Sequence, residues 1–80
     1  MDIVHQPEHN RFVVEIDGQQ ALLEYRLLAD QRIDFSYTFV PPLFRGQGIA
    51  EKLVRTGLAW ARGQAYDMQA SCWYVQRFLR

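Results

Sequence analysis

The sequence predicts an α/β fold: an antiparallel meander of three strands, one helix, a fourth strand parallel to the third, and a short C-terminal helix. Three observations carry that expectation. From Arg11 to Phe39, apolar and polar residues alternate with period two between turn signals. From Gln47 to Gly63 the apolar residues recur with a helical period instead. Between them stands Val40-Pro41-Pro42-Leu43-Phe44-Arg45-Gly46-Gln47-Gly48-Ile49-Ala50, where two prolines must end a hydrogen-bonded ladder.

Composition narrows the function classes. Eighty residues leave room for a single domain, expected over the whole of 1–80. Nearly half of them are hydrophobic, enough to bury a core, although stability should be modest and a bound ligand or weak homodimer could add to it. Nine basic and nine acidic side chains cancel, which argues against a broad basic field for nucleic acid. One cysteine excludes an internal disulfide, and no run has the length and apolarity of a signal peptide or membrane span. A cytoplasmic protein, monomeric or weakly dimeric, is the expectation.

Residues 1–10 read as a flexible polar lead-in. His5 and His9 are four apart, but Pro7 lies between them, and no metal site is expected. In the first strand Phe12, Val14 and Ile16 alternate with Arg11, Val13, Glu15 and Asp17. Asp17-Gly18 signals a hairpin turn. The second strand runs from Ala21 to Leu28; its residues also tolerate a helix, and the close spacing of turn signals favours the strand. After the turn at Ala29-Asp30-Gln31, Ile33, Phe35, Tyr37 and Phe39 alternate with Asp34, Ser36 and Thr38.

The helix places Ile49, Ala50, Leu53, Val54, Gly57, Leu58 and Ala61 on one stripe. Gly57 within that stripe implies close packing on the sheet, at ~1 kcal/mol of helix propensity relative to Ala. Gly63 is the expected C-cap. Tyr66 to Ala70 reads as the fourth strand, brought parallel to the third by a right-handed crossover. Trp73 to Leu79 reads as the last helix, packed through Val75, Phe78 and Leu79. Trp60 and Trp73 are read as packing residues.

The glycine loop reads as a phosphate cradle. Gly46 and Gly48 permit positive φ and a close approach, a helix starting near Gln47 or Gly48 turns its amides back into the loop, and Arg45 adds a fixed charge. These six residues alone also fit an ordinary turn with a solvated Arg45. The dinucleotide fingerprint is not completed, because Glu51 stands where the third glycine would be, and no Walker lysine and serine follow.

The wider pattern resembles the GNAT superfamily of acetyl-CoA-dependent N-acetyltransferases, whose loop (Gln/Arg)-x-x-Gly-x-(Gly/Ala) is met by Arg45, Gly48 and Ala50. More closely, Val40 to Val54 and then Cys72, Tyr74 and Val75 are similar to two ordered blocks of the very small single-domain GNAT-like proteins. The resemblance implies a minimal GNAT-like fold whose third and fourth strands splay around the pantetheine arm of acetyl-CoA or coenzyme A. It assigns cofactor contacts to Arg45, Gly46, Gln47, Gly48, Ile49 and Ala50, and a carbonyl-polarising backbone N–H to Phe39 or Val40. Cys72, at the start of the last helix where a thiolate is favoured, becomes either a nucleophile or a thiol beside the cofactor's sulfur. Read by itself it is equally a small buried hydrophobe. Tyr74 and Tyr37 become proton donors, although each also suits an aromatic core position.

Two departures stand out. Where the small family often has Phe-x-His-Thr-Glu-Val, this chain has Phe35-Ser36-Tyr37-Thr38-Phe39-Val40, so Tyr37 and Phe39 replace the two evident bases. The implied function is N-acetyl transfer to a small amine, a lysine or an N-terminus. The alternative is a GNAT-like module that binds coenzyme A or a protein without turnover.

Overall fold

A computed structural model describes residues 2–79. Its elements are β1 (Val4–Gln6), β2 (Arg11–Ile16), β3 (Gln19–Leu28), β4 (Arg32–Phe39), α1 (Ile49–Gly63), β5 (Asp67–Ala70) and α2 (Trp73–Gln76). They form one sheet in the order β1-β2-β3-β4-β5. The first four strands are antiparallel, and β5 joins β4 in parallel after the α1 crossover. The α/β class and the strand–helix–strand–helix order are those expected.

The N-terminal lead-in is corrected. Val4, His5 and Gln6 pair with Val13, Phe12 and Arg11, so the free edge of β2 is covered by a fourth antiparallel strand. Pro7 opens a single 3-10 turn over Pro7–His9 rather than a flexible segment. His5 is fixed there: its ring stacks on Phe12 at 4.1 Å and its Nε2 shares a 2.8 Å hydrogen bond with the Tyr25 hydroxyl. The turn at Asp17-Gly18 has φ of 49° and 77°, the geometry its sequence demands.

One face of the sheet is covered by α1. Leu53, Val54, Leu58 and Ala61 are buried against Phe12, Val14, Leu23, Ile33 and Phe35. Gly57 permits that contact: a Cβ there would stand 2.6 Å from Leu23 Cδ2 and 3.3 Å from Phe35 Cε1. The helix begins at Ile49 rather than Gln47, because Gly48 takes a left-handed conformation at its N-cap. Its far end also shifts. Gly63 is the last helical residue, and Ala65, with φ of 61°, occupies the left-handed position. Tyr66 N–H bonds Ala61 O at 3.0 Å and Ala65 N–H bonds Arg62 O at 3.0 Å, which closes a Schellman motif around an alanine.

A bulge in β4 changes which residues face the helix. Tyr25 pairs with Phe35 and Glu24 with Tyr37, leaving Ser36 as the extra residue. The expected face of Ile33, Phe35, Tyr37 and Phe39 therefore breaks after Phe35. Thr38, opposite the buried Leu23, turns inward, while Tyr37, opposite Glu24, is exposed on the open face. Helix α2 is also shorter than expected, a single turn over Trp73–Gln76. Beyond it Phe78 N–H and Leu79 N–H bond carbonyls three residues back.

Candidate active site

Parallel pairing of β4 with β5 ends at Phe35 and Ala70. Cys72 N–H donates to Phe35 O at 3.1 Å, and past that bond the two chains part. The opening is a cleft of about 410 Å³ with Thr38, Phe39 and Val40 on one wall and Cys72, Trp73 and Tyr74 on the other. Arg45 and Ala50 close its end and also line a neighbouring hollow of about 250 Å³ that reaches Gly46, Gly48 and Ile49. The two hollows, one at the glycine loop and one at the cysteine, share Val40, Arg45, Ala50 and Tyr74 as lining.

The loop has the form of an anion cradle. Pro42–Phe44 makes a 3-10 turn that buries Phe44 and delivers Arg45 to the rim. Gly46 and Gly48 adopt φ of 85° and 77°, and a Cβ at either would meet nothing within 4 Å, so the space above the main chain is open. The first helical hydrogen bond is Lys52 N–H to Gly48 O, at 3.1 Å. The amides of Ile49, Ala50 and Glu51 therefore lack an intrahelical acceptor and lie at the positive end of the fifteen-residue α1. Arg45 Nε donates to Val40 O at 3.0 Å, which ties the loop to the end of β4. Gln47 turns the other way and lines a separate hollow beside Ile16 and Asp17.

At the other end Cys72 is half-buried, with its Sγ 3.6 Å from Thr38 Oγ1. Its placement rests on Asp34, which is 1% exposed. The Asp34 carboxylate accepts Ser71 N–H at Oδ1 and the Ser71 hydroxyl at Oδ2, both at 2.8 Å, and Arg26 Nη2 at 3.0 Å. Burial alone would raise its pKa, but hydrogen bonds from Ser71, Arg26 and Gln69 outweigh that and hold the group below its ordinary value. The carboxylate thus anchors the residue immediately before Cys72.

Of the expected site residues, the cleft and its adjoining hollow bring together Phe39, Val40, Arg45, Gly46, Gly48, Ile49, Ala50, Cys72 and Tyr74. Tyr37 is 48% exposed and does not line the cleft, for the bulge at Ser36 carries it to the open face. Thr38 takes the inward place and was not singled out from sequence, because strict alternation puts it outside. Trp73 is corrected as well: it is 71% exposed at the cleft wall instead of packed. Trp60 does pack, among Phe12, Tyr25 and Tyr66.

The comparisons with known proteins agree with this arrangement. Residues 11–80 match the family model for GCN5-related N-acetyl-transferase, a span that includes the glycine loop and Cys72. The chain is 29% identical over 80 residues to Protein NATD1 of Bos taurus, an alignment covering 98% of this chain and 71% of that protein. The Homo sapiens NATD1 is 28% identical over 80 residues, with 98% and 71% covered. The NMR solution structure of a GCN5-like protein from Staphylococcus aureus matches with a TM-score of 0.76 at 26% identity, over 98% of this chain and 76% of that one. A family match across the cleft-forming elements, joined to a matching fold, settles the classification: the chain belongs to the GCN5-related N-acetyltransferase family.

Proposed function

We propose that the chain acts as one acetyl-CoA-binding unit and transfers the acetyl group to an amine of a small molecule or a protein. The observation that carries this reading is the pair of adjoining hollows, one at the Arg45–Ala50 cradle and one at Cys72 between the diverging β4 and β5, that share Val40, Arg45, Ala50 and Tyr74. Acetyl-CoA, when bound, supplies an activated thioester. The residues present suit it: open glycines, a helix N-terminus and a guanidinium favour the pyrophosphate, and the apolar wall at Val40 and Ala50 suits the pantetheine arm.

Each side chain then has a task. The main chain at Phe39 or Val40, where β4 has lost its β5 partner, is assigned the N–H that polarises a carbonyl. Tyr74 lines both hollows, which supports assigning it the return of a proton to a departing thiolate. Cys72 stands at the reacting centre, either as the nucleophile that accepts the acetyl group or as a thiol beside the leaving sulfur.

Calorimetric titration of acetyl-CoA against the wild-type protein and Gly48→Asp tests the reading. An aspartate at φ of 77° is strained and sets a negative charge where the pyrophosphate should lie. Affinity should fall by at least about tenfold. Absence of wild-type binding, or equal binding to both proteins, overturns the proposal.

A further inference from the structure

We infer, resting on the acetyl-CoA reading above, that the acceptor is a weakly basic aromatic amine, uncharged at neutral pH, whose ring lies against Trp73. The charge around the cleft argues for the neutral nitrogen. Among the described residues, no carboxylate or imidazole side chain lines the cleft at Cys72, and Arg45 is the one charged residue that does. Asp34, on the far side of Ser71, has both oxygens engaged by Ser71 and Arg26. Glu51, in the hollow at the loop end, is engaged by Arg55 at 2.8 Å.

An alkylamine or lysine meets an obstacle in such a site. With a pKa of about 10.4 it is uncharged in fewer than about one molecule in a thousand at pH 7, so the cleft would have to remove a proton. An amine whose lone pair is delocalised into an aromatic ring is already uncharged there and avoids that obstacle.

The ring is argued from Trp73. Its side chain meets Tyr74 edge-on, with centroids 5.9 Å apart and planes at 88°, and it remains 71% exposed. So large an apolar surface at the wall of a cleft is suited to cover a planar ring. The chemistry then balances without a base. The nitrogen lone pair forms the new C–N bond, the thioester C–S bond breaks, and the amine proton leaves with the sulfur as a thiol.

Aniline and benzylamine make a matched pair of probes, because one methylene restores full basicity without changing the ring. Acetyl-CoA affinity is measured first by calorimetry, since its absence overturns the parent reading and this one together. Binding of each amine is then followed by calorimetry and saturation-transfer NMR with coenzyme A present, and acetylation by mass spectrometry from pH 6 to 9. Aniline should bind at least about tenfold more tightly than benzylamine at pH 7. Its acetylation should be flat with pH between 7 and 9, while that of benzylamine rises with its free base. Trp73→Ala should weaken aniline binding about three- to tenfold and Trp73→Phe should restore most of it, each measured with coenzyme A at saturation for that variant. If acetyl-CoA binds but aniline does not, or if benzylamine or a lysine peptide equals aniline at pH 7, this inference fails and the parent reading stands. Aniline binding indifferent to Trp73→Ala overturns it too.

Discussion

Asp34 holds Ser71 by two hydrogen bonds of 2.8 Å across 37 residues of sequence, one to its backbone N–H and one to its hydroxyl. The pair lies just past the last rung between β4 and β5, where the chain leaves the sheet toward Cys72. Asp34→Ala removes both acceptors at a buried position and should lower stability by about 1–3 kcal/mol in urea denaturation. Asp34→Asn, which keeps one acceptor, should lose less. The folded pKa of Asp34 lies below 3.8, so its contribution is present above that pH and is lost as pH falls below it. The acid-side loss of stability should therefore shrink in Asp34→Asn.

His5 gives a pH dependence on a different side. Burial lowers its pKa from 6.5, against a smaller opposing effect of Glu8. The unfolded chain then binds this proton at a higher pH than the folded one, so stability is full above about 6.5 and declines as pH falls through that value. Melting temperatures between pH 8 and 5 should show the decline, and His5→Gln should flatten it.

Ala65 holds a left-handed conformation that alanine disfavours by roughly 1 kcal/mol. Ala65→Gly should stabilise the protein by about 0.5–1 kcal/mol, with the unfolded-state entropy of glycine setting the lower end. Denaturant midpoints at constant m-value are the check.

Cys72→Ala separates two routes of transfer. If the thiol carries the acetyl group, the denatured wild-type protein should show a mass gain after incubation with acetyl-CoA, and the variant should show none. Turnover should fall at least about tenfold while acetyl-CoA affinity stays within about twofold, because the phosphate loop is untouched. Equal turnover would assign direct transfer to the amine.

Most of this architecture was legible because its signals are local. Asp17-Gly18 specifies a tight turn, the stripe from Ile49 to Ala61 specifies a buried helix face, and Pro41, Pro42, Gly46 and Gly48 bracket the loop. What escaped depends on partners distant in sequence. Val4–Gln6 is too short to announce a strand and forms one only against the edge of β2. Ser36 has no compositional mark of a bulge; its role comes from β3 pairing on both sides of it. That single unmarked residue is why Tyr37 was expected in the cleft and Thr38 was not. Ala65 escaped because the cap rule looks for glycine, and the chain offers one two residues too early, at Gly63.

The bulge has a consequence for altering the cleft. Ser36 is a surplus residue, so its deletion would leave Phe35 and Thr38 facing inward and Tyr37 outward, as they are now. What deletion would remove is the local bend and added twist of β4 at the point where it leaves β5. Width and lining are therefore separable properties in this protein: one residue tunes the aperture, while the chemical identity of its walls is written elsewhere.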